Sequence, residues 1–186
     1  RLSFNSKPNE VRIKSSQDIN LWESDVELLK KLIVSGDSHS KVMRMATVWL
    51  DLTMPRYWWS EFDTYKQGTT AMSESSVHKM LGRIKSGNLS VDDFYCNNEG
   101  VTDAVVDAVR NMENAVRAGM AIEDIKQMLP ESFLQRRIVC TNYQTLRHIY
   151  FDRRNHRLPI WHKFLDELLK QLPFPEFITI EKEATK

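Results

Sequence analysis

Hydrophobic positions along the chain fall into short regular runs separated by polar, turn-rich stretches. Val26, Leu29 and Ile33 recur at helical spacing, Ser24 and Glu27 form a capping box ahead of them, and Gly36 closes the run. The period then changes to two. Val42, Arg44, Ala46, Val48, Leu50 and Leu52 alternate with Met43, Met45, Thr47, Trp49 and Asp51, which predicts a strand with both faces partly covered. Pro55 suits the first turn of a helix, "PRYWWSEFDTY". The stretch "KQGTTAMSESS" reads as a polar loop and is followed by a short helix over 77–84. "KSGNLSVDDFYCNNEG" is turn-rich and reads as surface.

The second half predicts a helix over 102–118 ended by Gly119, a short one over 121–128, a strand over 133–140, and helices over 143–153 and 159–172. In the last, Ile160, Phe164, Leu165, Leu168, Leu169 and Leu172 make one apolar stripe. Residues 1–22 read as an irregular arm with one short strand over 11–13, 23–180 as a single domain without repeats, and 181–186 as a tail.

Composition narrows the function. The chain has 186 residues and a formal net charge of +1, so a nucleic-acid partner is not expected and any anion site is local. Cys96 and Cys140 match no metal or redox spacing and suggest two buried thiols in a reducing compartment. The opening "RLSFNSKPNE" lacks the build of a signal peptide, and no apolar run reaches membrane-spanning length. A cytoplasmic protein is expected. No glycine run forms a phosphate loop or dinucleotide fingerprint, no serine sits in a nucleophile elbow, and the histidines lack zinc-site spacing, so no metal is expected.

Charge is concentrated late in the chain. Residues 145–164 hold four arginines and three histidines among aromatic and aliphatic side chains. On a helix, Leu146, Ile149, Tyr150 and Arg153 share a face, while Arg147 and Arg154 fall elsewhere. Arg153 thus ends an apolar stripe, where a guanidinium needs an anionic or carbonyl partner. Two readings stand side by side: a structural ion pair, with Asp51, Glu61 or Asp152 of a neighbouring chain, or a grip on a phosphate or an electron-rich ring. Arg136 and Arg137, adjacent on a strand, point to opposite faces.

These residues resemble the flavin-dependent thymidylate synthase (thymidylate synthase complementing protein) family. "LPESFLQRRIVCTNYQTLRHIYFDRRNHRLPIWHKF" carries Leu129-Pro130, Arg136, Asn142, Leu146 and Arg153 in the family's ungapped register. "MENAVRAGMAIEDIKQMLP" is similar to the preceding helices. "VELLKKLIVSGDSHSKVMRMATVWLDLTMPRYWWSEF" is similar to the family's helix, His, strand and Pro-initiated helix, with His39 on the family His and Arg44 where Glu is usual. The resemblance covers about 25–178. The signature R-H-R-x-x-S-x-N-E-x-S-x-R-Y is degenerate here: the matching stretch is "TYKQGTTAMSESSVHKM", and the R-H-R triplet, which in the family lies at the flavin and the nucleotide, is absent.

The fold class that the resemblance implies for these strands and helices is α/β (α+β), a single domain with a central mixed sheet flanked by helices. The resemblance implies reductive methylation of dUMP at C5, with FAD as cofactor and NADPH and methylenetetrahydrofolate as co-substrates. It also implies a homotetramer whose active site forms where subunits meet. Arg153 would be the catalytic arginine against the pyrimidine. Arg136, Arg153, Glu74, Ser75 and Ser76 would bind the nucleotide, and His39, Lys66, Asn142 and His156 the flavin. The aromatics Trp58 and Trp59 are expected to be consumed by tetramer interfaces. The missing triplet leaves an alternative from another class, a non-catalytic nucleotide-binding or assembly subunit.

Overall fold

Leu50 and Leu52 are fully buried, and Thr47 and Trp49, one residue out of phase, are exposed. β1 (Thr47–Pro55) is a strand with one face buried and the other partly covered, since Asp51 and Pro55, in phase with Trp49, are buried as well. The computed structural model describes residues 21–181. The elements after β1 are α2 (Arg56–Phe62), β2 (Thr70–Ser73), α3 (Ser76–Lys85), α4 (Glu99–Arg117), α5 (Ile122–Gln127), β3 (Leu134–Asn142), α6 (Tyr143–Arg153), α7 (Pro159–Gln171) and α8 (Glu176–Thr179). α1 (Glu23–Val34) precedes them. The strand expected over 11–13 lies outside the described residues.

The three strands form one sheet in the order β1-β3-β2, with β3 central. Leu50 pairs with Val139 and Met72 with Ile138, and both ladders are antiparallel. The α+β class holds, but the described sheet is antiparallel where a mixed one was expected. β2 lies inside the stretch read as a polar loop. All four of its residues are exposed, so no buried face imposes the alternation that would reveal a strand.

The strand expected from Val42 begins five residues later. Lys41–Arg44 is a 3-10 turn in which Met43 is buried and Val42 is 46% exposed, the reverse of the expected alternation. The capping box at Ser24 does not form either. α1 starts at Glu23 behind Trp22, which makes no side-chain cap bond, and Glu27 instead pairs with Lys30 at 3.1 Å. α4 starts three residues early because the Asn98 side chain accepts the Val101 N–H at 2.9 Å. The turn-rich stretch before it is partly core: Leu89 and Phe94 are buried. Cys96 and Cys140 are half-buried rather than buried.

Buried side chains gather in two clusters. The smaller joins α3, α4 and α5 through Met80, Val105, Met112, Ile125 and Phe133. The larger lies between one sheet face and α1, α2, α6, α7 and α8. Its hub is Trp58, whose ring stacks on Phe62 (centroids 5.0 Å apart, 24°), and which also meets Trp59, Trp161 and Phe164. Trp58 and Trp59 are fully buried within one chain. The expectation that subunit interfaces consume them is therefore wrong: Trp161 and Phe164 of α7 cover Trp58, while Trp59 is covered by Phe62, the Arg137 guanidinium and the Gln135 carbonyl, to which its indole N–H donates at 2.9 Å. The unpartnered apolar surface lies elsewhere. Trp49 (57% exposed) and Met72 (69% exposed) stand on the sheet face that no helix of the larger cluster covers.

Phe164→Ala removes a fully buried ring packed on Trp58, Phe62 and Trp161. It should cost about 3–5 kcal/mol of stability, while Trp49→Ala on the open face should cost less than about 1 kcal/mol in the isolated chain. Denaturant unfolding of both variants measures the difference.

Candidate functional site

Glu61, on the last turn of α2, is where three helices meet. Its Oε2 accepts the Arg153 Nη1–H at 2.9 Å and the Trp161 indole N–H at 2.8 Å, and His156 Nε2 lies 3.6 Å away. Arg153 also donates through Nε to the Tyr65 hydroxyl at 2.8 Å, and its guanidinium lies over the Trp161 ring, 4.7 Å from the centroid. Its side chain is only 16% exposed. Burial raises the Tyr65 pKa from its ordinary value against the opposing pull of Arg153, so Tyr65 stays a neutral phenol. Of the two readings left open for Arg153, the ion pair with Glu61 is the one formed within this chain.

Arg136 is held in the same way on the other side of the sheet. Leu50, Leu52, Val139 and Arg137 share the helix-covered face, and Arg137 lies over the Trp59 ring at 4.4 Å. Asp51 and Arg136 share the opposite face. Arg136 makes a two-pronged pair with Asp51, Nε to Oδ1 at 2.7 Å and Nη2 to Oδ2. The Asp51 side chain is 2% exposed and that of Arg136 is 40% exposed. The hydrogen bond to Asp51 raises the Arg136 pKa above its ordinary value. Glu74 caps this corner by accepting the Arg136 backbone N–H and the Lys79 ammonium, each at 2.8 Å. Ser75 is the N-cap of α3, accepting from the His78 N–H at 3.3 Å, and Ser76 opens that helix.

A cleft of about 860 Å³ opens beside α6. One wall is the loop 64–67 (Thr64, Tyr65, Lys66, Gln67), and the other carries Thr145, Arg147, His148, Phe151, Asp152 and Arg154 from α6 and its C-terminus, with Glu181. The loop is pressed onto the start of α6. Gly68 has φ +70°, and a Cβ there would stand 2.5 Å from Asn142 Nδ2 and 2.8 Å from Thr145 Oγ1, so only glycine fits. Asn142 is the N-cap of α6, accepting the Thr145 N–H at 2.9 Å, and Thr145 donates to the Gln67 carbonyl at 3.0 Å. Asn142 thus shapes the cleft without lining it. Gln144 contacts His148 Nε2 at 2.9 Å through its amide nitrogen, and its Oε1 is buried with no partner.

Within one chain the expected site residues form three groups rather than one. Arg136, Glu74, Ser75 and Ser76 sit at the open-face corner. Arg153 and His156 sit at Glu61. Lys66 lies in the cleft, with Asn142 beneath it. His39 is exposed in the turn after α1, and no side-chain contact of it is recorded among the described residues. Arg136 and Arg153 stand on opposite faces of the sheet, so the two do not converge on one ligand from the same chain. Sequence reasoning missed Glu61 as a hub and passed over Arg147, His148 and Phe151. The sequence carried no signal for Arg147: the run Tyr143-Gln144-Thr145-Leu146-Arg147 mixes polar and apolar residues, and only the fold shows that it is buried throughout. A helix start with no solvent side forces any charge on it toward a specific partner.

A small antiparallel sheet packed against helices, with a cleft lined by cationic and aromatic side chains beside α6, defines an α+β protein. The family can be stated outright: the thymidylate synthase complementing protein family matches residues 1–162, and the chain belongs to it. No curated protein gives a significant match. Among solved structures, thymidylate synthase X (ThyX) from Helicobacter pylori with FAD and dUMP aligns at TM-score 0.69 and 15% identity, covering 87% of this chain and 83% of that one. A second structure, the flavin-dependent thymidylate synthase ThyX from Helicobacter pylori complexed with FAD and dUMP, aligns at TM-score 0.72 and 17% identity, covering 89% and 85%. The likeness establishes the fold. Among the described residues no helix is long and apolar enough to cross a membrane.

Removing Arg136 leaves the Asp51 carboxylate buried without its cation. Arg136→Met should destabilise the chain by about 2–3 kcal/mol, the lower part of the range for broken buried pairs because Arg136 itself is partly solvated. The double variant Asp51→Asn with Arg136→Met should recover most of that loss. Thermal and urea unfolding of the parent, the double variant and both single variants, Asp51→Asn and Arg136→Met, reads the cycle, and a double-variant loss equal to the sum of the single losses would show that the pair carries no such role.

Proposed function

We propose that this chain is a flavin-dependent thymidylate synthase-like enzyme that binds FAD in the cleft beside α6 and a pyrimidine deoxynucleotide, dUMP, at Arg153. The observation that carries this reading is the cleft itself, in a chain of this family. FAD presents planar rings and a diphosphate. The cleft offers aromatic side chains at Tyr65 and Phe151, cations at Lys66, Arg147 and Arg154, and room for a dinucleotide. The residues present therefore fit the group. Reduced FAD would supply the hydride, and methylenetetrahydrofolate the one-carbon unit, with NADPH as the reductant of the flavin.

The chain's own residues set the terms for the nucleotide. Arg153 has committed Nε to Tyr65 and Nη1 to Glu61. No acceptor for Nη2 is recorded among the described residues, so that edge remains for a pyrimidine oxygen or a phosphate. Glu61 fixes the plane of the guanidinium, which gives orientation before binding. A fixed, partly desolvated cation stabilises negative charge developing on a pyrimidine carbonyl more than a mobile one does.

Arg136, Glu74, Ser75 and Ser76 complete the nucleotide site only if they come from a second copy, because they lie on the far face of the sheet. The exposed Trp49 and Met72 beside them are the surface on which that copy would seat, and a homotetramer is the assembly we propose. Light scattering of the parent at micromolar concentration should report an oligomer, and Trp49→Lys should shift it toward smaller species. A parent that is monomeric under these conditions would rule out the shared site.

One observation favours the non-catalytic alternative. Asp51 and Glu61 already neutralise both arginines expected at the nucleotide, and the loop 64–67 has a single cation. Two titrations separate the readings. The fluorescence of FAD should change saturably on addition of the protein, and calorimetry should detect dUMP. Arg153→Lys, which loses the planar fork, should weaken dUMP by about thirtyfold or more. Retained dUMP binding with no FAD binding at about a hundredfold excess of protein supports the nucleotide-binding subunit. Unchanged dUMP affinity in Arg153→Lys removes Arg153 from the site.

A further inference from the structure

Among the described residues, Arg147 is a buried charge with few partners. The residue is 3% exposed, yet its one recorded hydrogen bond is a long one, Nη1 to the Ile178 carbonyl at 3.3 Å. Among the described residues no carboxylate stands within ion-pair distance of it. Its guanidinium lies over the Phe151 ring, 4.7 Å from the centroid, and lines the cleft. Burial lowers its pKa from the ordinary arginine value, with Asp37 and Glu181 pulling weakly the other way. A guanidinium has five N–H donors, and burying it with one long bond is costly unless something else satisfies the rest. No sequence pattern assigned it a role.

A second arginine stands one helical heptad further on. Arg154 also lies over the Phe151 ring, 4.7 Å from the centroid, and donates to Glu181 at 2.8 Å. Both arginines are thus engaged by one short segment of chain, which follows α7: Ile178 offers a carbonyl to Arg147 and Glu181 a carboxylate to Arg154. The Glu181 side chain is 68% exposed, so the carboxylate is held at the rim rather than built into the core.

We propose that Arg147 and Arg154 form a two-point grip for a diphosphate, and that Glu181 is the internal anion that the diphosphate displaces. The assignment rests on the flavin reading for the identity of the natural ligand, but the grip itself is a property of these two arginines. Their position explains how a cleft whose loop wall carries only Lys66 could still hold a dinucleotide: the positive charge comes from the helix wall. Arg147 supplies a desolvated cation with unspent donors, Arg154 a solvated one at the entrance, and Phe151 spaces them. Glu181 keeps Arg154 ordered when no ligand is bound and competes with one that is.

The test uses inorganic pyrophosphate and ADP as probes, with FAD as the third ligand, by calorimetry on the full chain. The parent should bind both probes. Arg147→Met and Arg154→Met should each weaken them by about ten- to a hundredfold. Glu181→Gln, at an exposed position, should tighten them by severalfold, which a merely structural role for the arginines would not produce. Because Arg147→Met could loosen the docking of α8, Arg154→Met and Glu181→Gln carry the test if circular dichroism shows that variant unfolded. Failure of the parent to bind either probe, or probe affinities unchanged in the folded arginine variants and in Glu181→Gln, overturns the grip. FAD bound by the parent and unaffected in the arginine variants overturns the grip and leaves the flavin reading standing. Pyrophosphate bound through these arginines without FAD binding does the opposite.

Discussion

The carboxylate of Glu61 ties the ends of three helices to one point. α2 supplies it, α6 brings Arg153, and α7 brings Trp161, with His156 in the connection between the last two. Each donor is largely withdrawn from water, so none can exchange its protein partner for solvent at no cost. The apolar hub around Trp58 sits directly beneath, formed by the same α2 and α7. Polar and apolar contacts therefore specify one arrangement of α2, α6 and α7. Tyr65, three residues past α2, is fixed by the same Arg153, and with it the loop wall of the cleft. The geometry of the ligand-facing surface is a consequence of how one acid is satisfied.

α6 carries a conflict that the rest of the chain resolves. It leaves the central strand at Asn142, packs Leu146 and Ile149 into the main core, and buries Gln144, Thr145 and Arg147 as well. A helix buried on nearly all sides yet rich in arginine must find a partner for every charge. Arg153 finds Glu61, and Arg154 finds Glu181. Arg147 finds one carbonyl and an aromatic face. Gln144 is left with an orphaned oxygen beside His148. Incomplete satisfaction along one wall of a cleft is where a chain departs from optimal packing for a reason other than stability.

How far the sequence revealed this follows from what each signal measures. Period and punctuation found the main helices and the two long strands, because those elements have a buried face that repeats. They missed β2, whose residues are all exposed, and placed the first strand early, because Val42 and Arg44 alternate by accident in a 3-10 turn. The family register pointed to Arg136 and Arg153, and reasoning from burial foresaw that Arg153 needs an anionic or carbonyl partner. Neither could show that Asp51 and Glu61 supply it, since that depends on strand register and helix docking. Arg147 was invisible for the same reason: a helical wheel places it off the apolar stripe, and only α8 and the C-terminal segment, packed over that side, bury it.

The division of the candidate residues between the two sheet faces has a physical consequence. The cleft is lined by Arg147, Arg154 and Lys66 of one chain. The Arg136 corner is different. Its guanidinium is 40% exposed and lies on a sheet face that also exposes Trp49 and Met72. Seating a second copy there would desolvate the Arg136–Asp51 pair further, which strengthens its attraction to any added anion and raises the cost of leaving a donor unused. In the proposed reading, dinucleotide binding is then a property of each chain, and nucleotide binding is a property of the assembly. Protein concentration would govern the second and not the first, because only the second gains free energy from association.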